Sequence, residues 1–282
     1  MKKINSQIRE YLKYCEKVCG MTEATISSKK YIYHRFVKES GLTDLHDLTN
    51  TVFNTWAAKE TDRGIRPTTM NSYNAAILAL VRYYNDIGEI IPLNVRLIHI
   101  VKQPRSERKV YTAQEIHQVI YLTSRSSRHR KVSLMIRIMF ETGMRIAELS
   151  KLRVTDFNGR RIDFIGKGRK AREVYIRPNT LKKVQRFIEE NQITDYLWCV
   201  NGSDQPPTTH TVRVWMQEAF AFAGFDGFYP HSLRHSFATD LQLRGASIEE
   251  IKEMIGHESI ATTERYLHGF EGRLKSLFDK YR

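Results

Sequence analysis

Residues 161–176 read RIDFIGKGRKAREVYI, and the way this stretch is read decides the fold. Arg161 to Ile165 and Arg172 to Ile176 alternate in polarity and are rich in β-formers, and between them Gly166 and Gly168 punctuate a turn, so a β-hairpin is predicted. Its tip carries Lys167, Arg169 and Lys170 and is strongly basic. The sequence around the hairpin has helical period. Thr112-Ala113-Gln114-Glu115 has capping-box spacing and opens a helix at the start of this half of the chain. The expected fold is therefore mainly α with a small β-hairpin or sheet.

Working back toward the N-terminus, residues 88–110 contain two prolines and mixed charge with no sustained period, which reads as a linker. Before it lie four amphipathic patterns. Ile4, Ile8, Tyr11, Leu12 and Val18 form the first, and Tyr31, Ile32, Phe36 and Val37 the second, ended by Gly41. Leu45 to Ala58 gives a third. Asn71 to Tyr84 gives the clearest, with Ala76, Ile77, Leu80, Val81 and Tyr84 on one side. Four helices in this span predict a small bundle. The expected organisation is a helical domain over 1–87, a linker over 88–108 and a mostly helical α/β domain over 109–282.

The formal charge is +14, with +6 up to residue 105 and +8 beyond it, so both halves carry the excess. A basic excess of this size favours a polyanionic partner, because each Lys or Arg set near a phosphate releases condensed counterions. No run approaches the ~18 apolar residues of a membrane span. The opening MKKINSQIREYLKYCEKV lacks the basic start and apolar run of a secretory signal. The three cysteines, Cys15, Cys19 and Cys199, have no framework spacing, which suggests reduced thiols in a cytoplasmic protein. Cys15 and Cys19 lie one helical turn apart, but no second ligand pair follows, so packing is expected for them.

Four stretches carry candidate chemistry. ETGMRIAEL (141–149) breaks a helix at Gly143 and lets Arg145 emerge at the start of the next. The hairpin tip supplies Lys167. PHSLRHSFAT (230–239) puts His231 and Arg234 on one helix face, and GHESIATTERY (256–266) supplies His257 and Tyr266. Each alone has a plain structural reading as a solvated charge, a cap or a packed ring. Together, two arginines, a lysine, two histidines and a tyrosine are what transesterification at a phosphodiester requires. A tyrosine hydroxyl of ordinary pKa about 10 is a nucleophile that needs help losing its proton. Arginine forks match non-bridging phosphate oxygens, histidines titrate near ~6.5, and a lysine can protonate a leaving oxygen. His231 and His235 have H-x-x-x-H spacing without the glutamate of HExxH, so no metal site is expected there.

These motifs, in this order and spacing over residues 109–282, resemble the tyrosine recombinase (phage integrase) family, and all six of its catalytic positions are filled. The N-terminal helices resemble the family's core-binding (SAM-like) domain in size and pattern. The resemblance implies a C-shaped clamp on double-stranded DNA carrying specific recombination sites, and a reaction that needs no metal, ATP or other cofactor. It implies that Arg145 and Arg234 clamp the scissile phosphate and that Lys167 is the general acid toward the 5′-oxygen. His231 would serve in proton transfer with Tyr266, and His257 would donate to the phosphate. Glu148 occupies the family's acidic position and would orient the site. Tyr266, nine positions after His257, would attack to give a 3′-phosphotyrosyl bond; Tyr229 is too close to His231, and Tyr281 lies beyond the motif.

The compact size resembles Xer-type and mobile-element recombinases, without an arm-binding domain before the core-binding helices. A homo-tetramer on two duplexes, or one shared with a paralogous recombinase, is implied. The tail at 267–282, with Leu274, Leu277 and Phe278 at helical spacing, has two readings. It either folds on its own core or is donated to a neighbouring protomer, and the resemblance favours donation. Two other function classes remain at this stage: a type IB topoisomerase-like relaxing enzyme, and a catalytically silent DNA-binding regulator. The helices at Thr68 to Tyr84 and Arg145 to Leu152 are candidates for groove contact.

Overall fold

The computed structural model describes residues 3–99, 109–165, 171–200 and 203–256. The chain divides into two compact units, Met1–Ser106 and Glu107–Arg282. The first unit is built from α1 (Lys3–Lys17), α2 (Glu23–Ser40), α3 (Asn50–Asp62) and α4 (Pro67–Asp86). Its core joins Ile4, Ile8 and Leu12 of α1 to Tyr33 and Phe36 of α2, Trp56 of α3 and Leu80 and Tyr84 of α4. Two buried tyrosine hydroxyls staple the helices: Tyr33 donates to the Ala76 carbonyl at 2.8 Å, and Tyr84 to that of Gln7 at 2.9 Å. Such bonds cost nothing in lost hydration only because each buried donor finds a partner.

The details differ from the sequence pattern in several places. Val18 lies past the end of α1 and is exposed, and Tyr31 is on the solvent face of α2. The third pattern is not one helix: a single turn at Leu45–Asp47 precedes α3, because the Thr49 side chain accepts from the Val52 N–H and starts a new helix. Cys15 is buried, whereas Cys19 is exposed. Finally, the first part of the expected linker belongs to this core, with Ile91 and Leu93 buried on either side of Pro92. The Asn50 side chain holds that segment down: its Nδ2 donates to the Asn94 carbonyl at 3.1 Å and its Oδ1 accepts from the Asn94 N–H at 2.8 Å.

Glu60 is fully buried among these helices. Its carboxylate takes Arg35 at 2.6 Å and Arg63 at 2.9 Å, and Arg63 also reaches Glu39 at 2.7 Å. Arg35 and Arg63 remain partly hydrated, so deleting Glu60 strands no fully buried cation. Glu60→Ala is therefore expected to lower stability by about 1–3 kcal/mol, read as a fall in the urea midpoint. An unchanged midpoint would show that the network contributes nothing net.

The second unit packs α5 (Ala113–Ser124), α8 (Pro178–Glu190), α9 (Thr209–Phe222) and α10 (Pro230–Leu243) around α6 (Arg130–Thr142), with the single-turn α7 (Ile146–Leu149) and α11 (Ile248–Ile255) at one end of that array. Nearly every residue of α6 from Val132 to Phe140 is buried, as expected of a helix covered on all sides. α5 opens with the Thr112–Glu115 capping box. The sheet is antiparallel in the order β1 (Phe157–Asn158), β2 (Arg161–Ile165), β3 (Ala171–Tyr175), with Ile162 opposite Val174. The fold is thus mostly helical with a small sheet. No helix among the described residues is long and apolar enough to cross a membrane.

Candidate active site

The site begins where α6 ends. Gly143 adopts the left-handed conformation (φ 62°) and its N–H closes the last turn on the Met139 carbonyl at 2.9 Å. The Phe237 ring of α10 lies directly against it, and a Cβ at this position would sit 2.4 Å from Phe237 Cδ1. Only glycine meets both conditions. Met144 is then buried completely, which forces the next side chain, Arg145, outward.

Arg145 is the N-cap of α7 and is held by Glu148. One carboxylate oxygen, Oε2, accepts from the Arg145 main-chain N–H at 2.7 Å, and Oε1 pairs with Nη1 at 2.8 Å. The same side chain thus caps the short helix and fixes the guanidinium. α7 is a single turn, shorter than the helix expected to run to Leu152. Glu141, from the same motif, accepts from the Arg177 N–H at 3.0 Å and the Thr180 hydroxyl at 2.7 Å, tying α6 to the start of α8.

Arg234 sits in the second turn of α10 and is only 1% exposed. It donates to the Gly143 carbonyl at 2.5 Å and to the Ile255 carbonyl at 2.7 Å. Arg145 Nη2 reaches the adjacent carbonyl, Gly256, at 3.4 Å. Arg172 of β3 donates to the one before, Met254, at 2.6 Å. Three guanidiniums therefore meet three successive carbonyls at the C-terminal end of α11. A helix leaves its last carbonyls without intrahelical donors and carries partial negative charge there, so cations are favoured at that end. Gly256, left-handed at φ 70°, then turns the chain away.

Arg145 and Glu148 from one motif and Arg234 from another are thus brought together around the end of α11. His231 is exposed on α10, one turn before Arg234. His235 is buried on the same helix, and Tyr229 is exposed at its N-cap. Lys167, His257 and Tyr266, and the tail from 267 to 282, lie outside the described residues. Arg172 was not singled out by its motif, which drew attention to the basic hairpin tip. The signal was nonetheless present, since Arg172 is in phase with Val174 and Ile176, both buried, so strand alternation turns its side chain inward. Burial lowers its pKa, which the Glu148 charge opposes.

Residues 109–273 match the phage integrase family. The tyrosine recombinase XerC of Pelobacter propionicus is 28% identical over 225 residues, covering 77% of this chain and 74% of its own length. The tyrosine recombinase XerD of Staphylococcus saprophyticus is 24% identical, with 97% of both chains covered. Among solved structures, the fold matches the XerH site-specific recombinase bound to a palindromic difH substrate, at a TM-score of 0.76 and 22% identity over 95% of this chain and 83% of that one. It also matches the Tn1549 transposon integrase in complex with transposon right-end DNA, at 0.80 and 15% over 99% and 98%. The chain belongs to the phage integrase family and is a tyrosine recombinase, an enzyme that cleaves and rejoins DNA.

Proposed function

We propose that this recombinase acts in the cytoplasm at specific sites in double-stranded DNA, as a tetramer of identical or paralogous protomers joining two duplexes, with Tyr266 as nucleophile. The helices over 1–87 form the core-binding domain and residues 109–282 the catalytic one, which together clamp the DNA. The Tyr266 hydroxyl attacks the scissile phosphorus, and its proton passes toward His231. The bond to the 5′-oxygen breaks, and Lys167 protonates that oxygen as it leaves. A 3′-phosphotyrosyl ester and a free 5′-hydroxyl result. A 5′-hydroxyl from the partner duplex then reverses the step, so the phosphoester energy is conserved and no ATP is consumed. Arg145 and Arg234 neutralise the non-bridging oxygens, where charge gathers in the transition state, and His257 donates to the same phosphate.

One observation carries the reading. Arg145 and Arg234 converge on consecutive carbonyls at the end of α11, and the residue that follows Gly256 is His257. The charge of +14, spread over both halves, supports a polyanion held along the whole chain. The natural outcome is Xer-like resolution, or integration and excision of a mobile element.

The test is a plasmid bearing two copies of a candidate site taken from the chain's own genetic neighbourhood. Exchange between the sites by wild type, without metal or ATP, supports the proposal. Relaxation of supercoils without exchange would replace it with a relaxing enzyme, and sequence-specific binding without either reaction with a silent regulator.

A further inference from the structure

We infer that Arg172 is a positioning residue for DNA cleavage, which sets the Arg145 guanidinium through Glu148 and fixes the end of α11 through the Met254 carbonyl. The inference rests on the catalytic reading of the site given above and adds a residue to it.

Arg172 lies within a strand, 13% exposed by side chain, and its guanidinium stands 5.6 Å from the centre of the Phe164 ring opposite it. Nη1 is 3.5 Å from Glu148 Oε2, and Nη2 donates to Met254 at 2.6 Å. Glu148 is therefore shared: Oε1 holds the Arg145 side chain, while Oε2 faces both the Arg145 N–H and Arg172. The Arg145 bonds orient the carboxylate, and the Arg172 charge at 3.5 Å, an ion pair without a hydrogen bond, holds it in place from the strand side.

The second contact is tighter still. A Cβ on Gly256 would lie 2.8 Å from Arg172 Nε and 3.0 Å from its Cζ, so the main chain runs flush against the guanidinium as it leaves α11. A strand position in phase with Val174 and Ile176 would be filled at lower desolvation cost by an apolar side chain. The cation at 172 thus meets a need that the core does not have. Arg172 also links the hairpin to the two-arginine clamp, so motion of the strand is transmitted to α7 and α11 together.

The test uses the full chain and a nicked suicide duplex carrying its site. Wild type, Tyr266→Phe, Arg172→Gln, Arg172→Lys, Glu148→Gln and the Arg172→Gln/Glu148→Gln double variant are compared. The readouts are thermal midpoint, Kd for the duplex and the single-turnover rate of covalent complex formation. Arg172→Gln is expected to bind within about threefold of wild type and to cleave about 10²-fold more slowly, the size of loss that a misplacement of about 1 Å produces. Arg172→Lys should lose about tenfold, since one ammonium keeps the charge but cannot span Glu148 and Met254 at once. The double variant should lose less than the sum of the two single losses, because the Glu148 route is shared, while the loss of the Met254 contact adds to it.

A substrate with sulfur as the 5′-bridging atom separates the routes. A thiolate leaves without the lysine's proton, so the Arg172 deficit should persist on it. Full recovery there would place Arg172 behind Lys167 and overturn the inference. Additive losses, or variants that cleave at the wild-type rate, would overturn it as well. If Arg172→Gln does not fold, Arg172→Lys decides alone on the same criteria. Failure of wild type to form the covalent complex would instead count against the proposed function.

Discussion

Arg234→Ala is expected to reduce the rate of covalent complex formation by about 10³-fold while leaving a folded but weakened protein. The rate loss follows from removing a preorganised two-pronged donor from the phosphate position proposed for it, where a single such donor is worth about 10²–10³-fold. The stability loss has a separate source. Arg234 is 1% exposed and bridges the Gly143 and Ile255 carbonyls, so alanine leaves two helix-end acceptors without it. An acceptor stranded in this way costs about 1–3 kcal/mol, so with two of them the urea midpoint should fall by the equivalent of about 2–6 kcal/mol. Arg234→Lys should recover part of the stability and little of the rate, because a single ammonium cannot span both carbonyls and present a fork. A cleavage rate within tenfold of wild type would remove Arg234 from the phosphate.

The second large effect is expected at Gly143. Alanine there must hold φ near 62° and place its methyl 2.4 Å from Phe237 Cδ1. The left-handed backbone costs an L-residue about 1–2 kcal/mol, and the overpacking about 1–3 more. Gly143→Ala should thus lose about 2–5 kcal/mol in equilibrium unfolding. Cleavage should fall with it, because Arg145 lies two residues on. Pairing it with Phe237→Leu should relieve the packing part and leave the backbone part. Full recovery in the double variant would mean that the left-handed turn is dispensable.

Much of the architecture can be read from local pattern. The antiparallel pairing of β2 with β3 follows from alternation on either side of the two glycines, and α4 and α5 from their apolar stripe and capping box. Local pattern misled where burial depends on distant chain. Ile91 and Leu93 flank a proline and show no period, yet they pack into the first unit. Val18 keeps the period of α1 but falls just after its last residue, where the chain is exposed. Glu60 looks like any helix-surface acid until Arg35 and Arg63 close over it.

The same division holds at the site. Gly143 before Arg145, and Arg234 one turn after His231, are visible as spacing. That these arginines would meet on the carbonyls of α11 is not visible, because α11 lies more than a hundred residues beyond Arg145. Arg172 was hidden by its context. Among the many cations of 166–172 only the alternation with Val174 and Ile176 marks it as inward, and its partner Glu148 lies in another motif.

The most direct test of the central claim is to trap the reaction on a nicked suicide duplex, without metal or ATP, and compare wild type with Tyr266→Phe. A denaturant-resistant protein–DNA complex in wild type, absent from Tyr266→Phe and mapping to the peptide that contains Tyr266, is the predicted result. An equal amount of complex in both proteins, or an adduct on a different tyrosine such as Tyr229, would contradict it.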